Sequence, residues 1–264
     1  MRQLFLLLLI ANLFACASSG SHNEDDETAD YTAKELYEEA QADLSAAEFQ
    51  SAVKLLESLE ARYPFDTYAK QAQLEIAYAY YKFEELDQAT SAIERFARLH
   101  PRDPHMDYVY YLKGLINFNR GQGLLDDWFP REPSRHDPEI LEQAFNNFST
   151  LVRRYPNSIY AGDSYQRMVY LRNQMAEKEI LIAEFYIERK SWLSAAKRAK
   201  AVIVRYPKTI WTHRALEIML LSYKKLELAT LAADTQKIID FNDFSDITTP
   251  VDPGKYGNAP ASSL

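Results

Sequence analysis

Apolar residues return along the chain at a fixed set of intervals. Counting from Phe49, an alanine lies three residues on, leucines lie seven and ten residues on, and a tyrosine–proline pair lies fourteen and fifteen residues on. The same offsets fit three later segments that begin at Leu86, Leu141 and Trp192, with His100 at the aromatic position of the first of them. Steps of three and four residues place side chains on one helical face, and the proline ends the helix. The pattern therefore predicts four helices of similar length.

A second apolar-periodic segment precedes three of these helices. Ala40, Ala77 and Ala183 each lie nine residues before the first residue of the helix that follows. A small residue at a fixed place allows a neighbouring helix to approach closely, so we interpret each unit as two antiparallel helices. The wider spacing of the later prolines indicates extra sequence, which we assign to an insert at about Gly121 to Pro138 and to a longer helix from about Ala161 to Ile187.

The order of these features resembles the tetratricopeptide repeat (TPR): a small residue in the first helix, an alanine and an apolar residue four apart in the second, and a proline eight residues later. The resemblance implies an all-α fold, a right-handed superhelical TPR-like solenoid of about five antiparallel helix pairs. The fifth pair, about Thr212 to Phe241, lacks the proline, and the sequence leaves open whether Ala229 or Ala232 gives its register. A degenerate last repeat is typical of a solenoid cap.

The N-terminus has the pattern of a bacterial export signal. A positively charged start precedes an apolar run from Leu4 to Ala11 that is too short to cross a bilayer. The run leads to Leu13 to Cys16, which resembles the lipobox of bacterial lipoproteins and implies removal of residues 1–15 and acylation of Cys16. Several acyl chains make a stable anchor. Ala17, where an aspartate would favour the inner membrane, implies the inner leaflet of the outer membrane, facing the periplasm.

The two ends of the chain differ in composition from its middle. Glu24 to Glu27 are all acidic, and prolines and glycines interrupt the sequence after Asp243. Such segments bury too little apolar surface to fold. We therefore predict that the signal peptide is followed by a lipidated acidic tether, then by a solenoid with N-terminal and C-terminal repeats, and last by a disordered tail. Their bounds are 16–30 for the tether, 31–242 for the solenoid, divided into about 31–158 and 159–242, and 243–264 for the tail.

Composition and charge narrow the classes of function. Lys and Arg number 30 against 38 Asp and Glu, a net charge of −8 without a basic block, which argues against nucleic acid as a partner. The seven glycines form no nucleotide-binding loop, and the single cysteine excludes an intramolecular disulfide or a multi-cysteine zinc site. His100, Asp103 and His105 lack a fourth ligand. We therefore predict no enzyme activity, no catalytic or metal-binding residues, and no cofactor other than the acyl chains on Cys16.

Solenoids of this kind bind polypeptides in a concave groove lined by the first helix of each pair. The repeat spacing places several tyrosines of the first three units in that groove. Tyrosine suits peptide capture because it combines a large apolar face with a polar tip at low entropy cost. The alternative is that several of these rings pack between repeats. The predicted groove residues are Tyr37, Gln41, Leu44, Leu74, Tyr78, Tyr81, Tyr111, Leu115 and Phe118.

Five longer segments carry a more specific resemblance. They are ARYPF at Ala61 to Phe65, IAYAYYK at Ile76 to Lys82, RLHP with the DYVYYLKGL run that ends at Leu115, FSTLVRRYPNS at Phe148 to Ser158, and AEFYIERKSW at Ala183 to Trp192. Together with the lipobox and the acidic tether, these segments make the chain similar to the BamD family, outer-membrane lipoproteins of the β-barrel assembly machinery. The match extends over nearly all of residues 31–240.

The resemblance implies a non-catalytic scaffold with three kinds of protein partner. One is the central barrel protein of the machinery, held through its membrane-proximal POTRA domain. The others are further assembly lipoproteins and unfolded outer-membrane proteins, whose C-terminal β-strand signal the family is proposed to receive. By this resemblance the N-terminal repeats offer the substrate groove and the C-terminal repeats dock the barrel protein.

Charged side chains surround Trp192 in the C-terminal repeats, and Trp192 itself takes a packing position of the repeat. Arginine can pair a partner carboxylate through two parallel hydrogen bonds, and it is enriched in interface hot spots. We therefore predict that Arg189, Lys197 and Arg198 contact the barrel protein.

A second function fits the lipobox and the repeats equally well. A periplasmic TPR adaptor that recruits peptidoglycan or cell-division enzymes would need the same anchor and the same array. The insert with Trp128 and the YYLKGL segment favour the assembly machinery.

Overall fold

A computed structural model describes residues 28–121, 138–244 and 250. This part of the chain contains ten α-helices and no β-strand. Cys16 with the lipobox, the insert around Trp128 and most of the predicted tail lie outside the described residues. The helices are α1 (Ala33–Ser45), α2 (Phe49–Arg62), α3 (Thr67–Lys82), α4 (Leu86–Leu99), α5 (Met106–Gly121), α6 (Pro138–Arg154), α7 (Ala161–Glu188), α8 (Trp192–Arg205), α9 (Thr212–Lys225) and α10 (Ala229–Phe241).

Consecutive helices pack as five pairs, and each pair also packs on the next through α2 with α3, α4 with α5, α6 with α7 and α8 with α9. This is the architecture of a TPR-like solenoid, so the predicted fold class is confirmed. The predicted helix starts Phe49, Leu86 and Trp192 are the first residues of α2, α4 and α8. The long helix predicted from Ala161 is α7, which ends at Glu188.

An alanine three residues after the repeat start is buried in the second helix of every pair. Ala52, Ala89, Ala144 and Ala195 are wholly inaccessible, and Ala232 is nearly so. A methyl side chain at this point lets the partner helix come close, which a larger residue would prevent. Because α10 begins at Ala229 and buries Ala232, the fifth pair has the same register as the others.

The turn inside four of the five pairs has one backbone conformation. Ala47, Glu84, Lys190 and Glu227 each lie two residues before the second helix, with φ between 56° and 64°. In the first pair the N–H of Ala47 donates to the carbonyl of Leu44 at 3.2 Å, and the N–H of Glu48 donates to that of Asp43 at 2.8 Å. This is the Schellman arrangement that closes a helix C-terminus, here built without glycine. The same backbone turn thus connects the two helices in four of the five pairs.

Helix α7 belongs to two hydrophobic clusters. Leu171 and Met175 pack in a cluster that extends back to Leu36 in α1. Ala176, Ile180 and Ala183 pack with α8 and α9 in a second cluster. The extra length of α7 therefore connects the N-terminal and C-terminal halves of the hydrophobic core.

An ion pair between a buried arginine and a partly exposed aspartate holds the N-terminal half of α7 against α5. Arg167 is completely buried, and its Nε donates to Asp163 Oδ2 at 2.6 Å. The same carboxylate oxygen accepts from the hydroxyl of Tyr111 at 2.8 Å, and the Arg167 guanidinium lies over the ring of Phe118 with 4.9 Å from carbon to centroid. A buried charge is tolerated only when it is paired and hydrogen-bonded, so these four side chains form one unit.

We predict that Gly114→Ala destabilises the fold although alanine is the better helix former. A Cβ at Gly114 in α5 would overlap the ring of Phe148 in α6, and overpacking of this kind costs about 1 to 3 kcal/mol. Gly162→Ala in α7 is the control, because a Cβ there meets no atom within 4 Å and alanine should stabilise by up to about 1 kcal/mol. Urea denaturation measures both. Equal effects of the two substitutions would contradict this account of the α5–α6 contact.

Candidate functional site

Most of the predicted groove residues are core residues. Leu44, Leu74, Tyr81, Tyr111 and Leu115 are all buried, as is Phe118. The expectation that these side chains line an accessible groove is wrong for the chain as described, except that Leu74 borders a cavity. The physical reason is that each pair covers a wider face of its neighbour than the spacing alone reveals, so these positions pack between pairs.

The two buried tyrosines use their polar tips inside the protein. The hydroxyl of Tyr81 accepts from Asn119 Nδ2 at 3.0 Å, and that of Tyr111 donates to Asp163. The ring of Tyr111 stacks on Tyr160 with centroids 4.8 Å apart. These contacts are those of structural residues, as the alternative interpretation of the tyrosines anticipated.

Three predicted residues stay partly exposed and mark a smaller site between α1 and α3. Tyr37 and Gln41 in α1 face the buried carboxylate of Glu75 in α3, while Tyr78 lies one turn farther along α3. Tyr37 Oη donates to Glu75 Oε1 at 2.8 Å, and Gln41 Nε2 donates to Oε2 at 2.6 Å. Gln71 Nε2 adds a longer bond of 3.4 Å to Oε1. Contact of Tyr37, Gln41 and Tyr78 with a peptide stays a prediction.

Glu75 is the charged centre of this site, and burial raises its pKa to about 7. All three hydrogen-bond donors are neutral, so they lower the pKa less than burial raises it. The hydroxyl of Tyr108, also buried, has no partner among the described residues. Sequence reasoning missed Glu75, although a single carboxylate inside the apolar run from Leu74 to Tyr81 was a usable signal.

A cavity of about 450 Å³ adjoins the site at Gln71 and Leu74, which line it. We call it the Phe65 pocket, because Phe65 at its rim is fully exposed. The Asp103 carboxylate at its edge is 2.8 Å from Lys70 Nζ and 2.9 Å from His105 Nδ1. The complete lining is Phe65, Asp66, Thr67, Lys70, Gln71, Leu74, Phe96, Asp103 and His105.

The three predicted docking residues in the C-terminal repeats have different surroundings. Arg198 in α8 is paired inside the chain, with Nη1 3.1 Å from Glu179 Oε2 in α7. Arg189 is exposed, and its guanidinium carbon lies 3.4 Å from the ring centroid of Phe185. Lys197 is exposed on α8. Arg189 and Lys197 therefore remain available to a partner, whereas Arg198 would have to exchange Glu179 for it.

Two exposed apolar side chains lie beside Arg189 and were not predicted from the sequence. Leu181 and Phe185 in α7 are 39% and 47% exposed. We call Leu181, Phe185 and Arg189 the Phe185 stripe; they follow one another at steps of four residues along one helix face.

The same repeat positions are buried in the second and fifth pairs. There Glu75 and Ala79, and Ile218 and Ser222, take the places that Leu181 and Phe185 take in the fourth pair. In those pairs the first helix also contacts the first helix of the preceding pair, α3 with α1 and α9 with α7. Because α7 is longer, the Phe185 stripe lies beyond the reach of the first helix of the preceding pair.

The described residues contain no cluster of three histidine, cysteine, aspartate or glutamate side chains placed to bind a metal. His100 and His105 have different partners: His100 Nε2 lies 3.0 Å from Gln73 Oε1, and His105 Nδ1 lies 2.9 Å from Asp103 Oδ1. In the same part of the chain no helix is both long enough and apolar enough to cross a membrane.

The fold and these surfaces define a helical-repeat protein of the TPR-like class, with open surfaces in both halves of the array. Residues 29–238 match the model of the YfiO family, which is described as "Outer membrane lipoprotein". The chain belongs to this family, whose curated relatives carry the name BamD.

Three relatives named "Outer membrane protein assembly factor BamD" illustrate the similarity. The one from Neisseria gonorrhoeae is 43% identical over 231 residues, which cover 87% of this chain and 86% of the relative. The one from Vibrio cholerae is 37% identical over 236 residues, covering 89% and 96%. The one from Haemophilus influenzae is 35% identical over 250 residues, covering 94% of each chain.

We predict that Glu75→Gln removes a pH dependence of stability. The carboxyl binds its proton more tightly in the folded chain, where its pKa is about 7, than in the unfolded chain, with a reference value of 4.5. The free energy of unfolding therefore falls as pH rises through this window and is level above it. At pH 8 the variant should be more stable by up to about 3 kcal/mol.

Denaturation midpoints between pH 4 and pH 8 measure this effect. Glu39→Gln on the exposed face of α1 is the matched control and should keep the wild-type slope. A Glu75→Gln variant with the wild-type slope would show that Glu75 is not the group responsible.

Proposed function

We propose that the chain is an assembly factor for outer-membrane β-barrel proteins that acts as a non-catalytic scaffold. Its membership of the BamD family and the names of the curated relatives support this role. A repeat array that offers separate surfaces along one body is suited to hold several polypeptides at once. The observation that carries the proposal is the Phe185 stripe, in which Leu181 and Phe185 expose apolar surface on α7 next to Arg189.

The C-terminal surface docks the central barrel protein through its POTRA domain. Leu181 and Phe185 provide apolar area, and Arg189, held over the Phe185 ring, provides a cation beside it. Aromatic residues and arginine dominate the binding energy of protein interfaces, most strongly where water is excluded around them. Lys197 and Arg198 lie on the neighbouring helix and add charge at the rim.

The N-terminal surface receives the C-terminal β-strand of an unfolded outer-membrane protein. Tyr37, Gln41 and Tyr78 offer an aromatic and polar strip, and the Phe65 pocket gives an apolar side chain a place to enter. An extended peptide exposes alternate side chains to one face, which suits a strip that ends in a pocket.

Acyl chains on Cys16 hold the chain on the periplasmic face of the outer membrane. The lipobox carries this part of the proposal. Other assembly lipoproteins would share that surface and complete the set of partners.

We predict that Phe185→Ala and Arg189→Glu weaken co-purification of the barrel protein from detergent-solubilised membranes. Each should lower the affinity at least about tenfold, because hot-spot truncations cost 2 kcal/mol or more. Val204→Ala removes a similarly exposed apolar side chain from α8, 67% exposed, and is the control. Co-purification that is lost with Val204→Ala but retained with the other two would place the docking surface elsewhere.

We predict that Phe65→Ala and Tyr78→Ala weaken binding of a synthetic peptide with alternating apolar residues and an aromatic C-terminus. Fluorescence anisotropy should show a loss of affinity of roughly three- to thirtyfold, within the range of truncated interface aromatics. Phe241→Ala, at the far end of the array and 92% exposed, should bind as wild type does. Tyr81 and Tyr111 are unsuitable for this test because they are core residues. Peptide binding unchanged in both variants would remove the N-terminal site from the proposal.

A further inference from the structure

The last turn of α2 holds the segment of chain that precedes α1. Arg62 Nη1 donates to the carbonyl of Thr28 at 2.7 Å, and Nη2 donates to the carbonyls of Ala29 at 2.6 Å and Tyr31 at 2.9 Å. The hydroxyl of Tyr63 donates to the Tyr31 carbonyl at 2.8 Å. We call these groups the Arg62 clamp. One side chain thus binds three main-chain carbonyls at the base of the acidic tether.

The clamp is a property of the first pair and not of the repeat. At the same repeat position the second pair has Leu99, which is exposed. Arg154 in the third pair hydrogen-bonds and stacks with Tyr110, and Arg205 in the fourth stacks over the tyrosine that follows it. Among these four positions, Arg62 is the one whose side chain hydrogen-bonds to main-chain carbonyls. A cation in the last turn of a helix also meets the negative end of the helix dipole, but that role does not require three carbonyl acceptors.

The clamp makes a continuous rigid connection with α1. Hydrogen bonds from a charged donor are stronger than those between neutral groups. The next residue, Thr32, begins α1 through a capping box, in which its hydroxyl accepts from the N–H of Glu35 and the Glu35 carboxylate accepts from the N–H of Thr32. The direction of the chain is therefore fixed from Thr28 onwards by contacts on both sides.

We infer that the Arg62 clamp fixes the point at which the N-terminal tether leaves the solenoid, and so the face that the solenoid turns toward a lipid surface. This inference rests on the proposed anchor at Cys16. From Cys16 to Thr28 the chain can span at most about 43 Å, and release of the clamp would add about 14 Å by freeing the chain up to Thr32. The clamp therefore limits both the distance and the orientations that an anchored solenoid can sample.

The clamp itself is tested in a soluble chain with Cys16→Ser. A spin label on Ala29→Cys leaves the clamped carbonyls intact and reports their mobility by electron paramagnetic resonance. Arg62→Gln should raise the population of the mobile, detached state at least about tenfold, because three hydrogen bonds to a charged donor are lost. Arg154→Gln, at the same repeat position, should give the wild-type spectrum. Wild-type immobilisation in Arg62→Gln would overturn the clamp, with circular dichroism confirming that both variants fold.

The orientation is tested with the acylated chain on vesicles of phosphatidylethanolamine and phosphatidylglycerol. A fluorophore on Lys224→Cys in α9 reports its distance to a dye at the vesicle surface by energy transfer. The wild type and Arg154→Gln should share one narrow distance distribution, and Arg62→Gln should give a broader one that extends to longer distances. A distance distribution that is unchanged in Arg62→Gln would overturn the orienting role of the clamp but leave the anchor at Cys16 standing. Failure of the acylated wild type to bind vesicles overturns the anchor and the inference with it.

Discussion

The continuity of α7 is the constraint on which the rest of the structure depends. This helix must bury its first half against α5 and α6 and its second half against α8 and α9, so its two halves serve two hydrophobic clusters. The ion pair of Arg167 with Asp163 fixes the first half, because a buried charge without its partner would be strongly unfavourable. Once that half is fixed, the position of the C-terminal repeats follows from a helix that does not break. The exposure of the Phe185 stripe follows in turn.

The two candidate surfaces have opposite chemistry. The N-terminal one is polar, with tyrosine and glutamine around the buried carboxylate of Glu75 and, at its end, a pocket lined by both apolar and charged side chains. The C-terminal one is apolar at its centre, with a cation held against an aromatic ring. A polar strip exchanges hydrogen bonds to water for hydrogen bonds to a bound peptide, so each contact adds little net binding energy. A desolvated apolar centre adds more. Under the proposed function, this difference would suit passage of a substrate at one end and lasting attachment of a scaffold partner at the other.

Much of the fold could be predicted from spacing, and much of the site could not. The helix starts at Phe49, Leu86 and Trp192 and the buried alanines are consequences of helical periodicity, which the sequence shows directly. Periodicity gives the direction in which a side chain points but not the width of the face that the next pair covers. Tyr81 and Tyr111 were therefore expected to be accessible, and the exposed Leu181 and Phe185 were not predicted. The positive φ turns stayed hidden because no glycine marks them.

In a solenoid each pair contacts only its neighbours, so geometry set at one end is transmitted along the array by stacking. The Arg62 clamp acts on the first pair, one backbone turn recurs within four pairs, and α7 joins the halves as one continuous helix. A chain built in this way has little freedom between its tether and the Phe185 stripe. If the proposed anchor and docking roles hold, the clamp and the Phe185 stripe belong to one mechanical element, because a fixed tether exit would also fix the height and direction at which the stripe meets a membrane-bound partner.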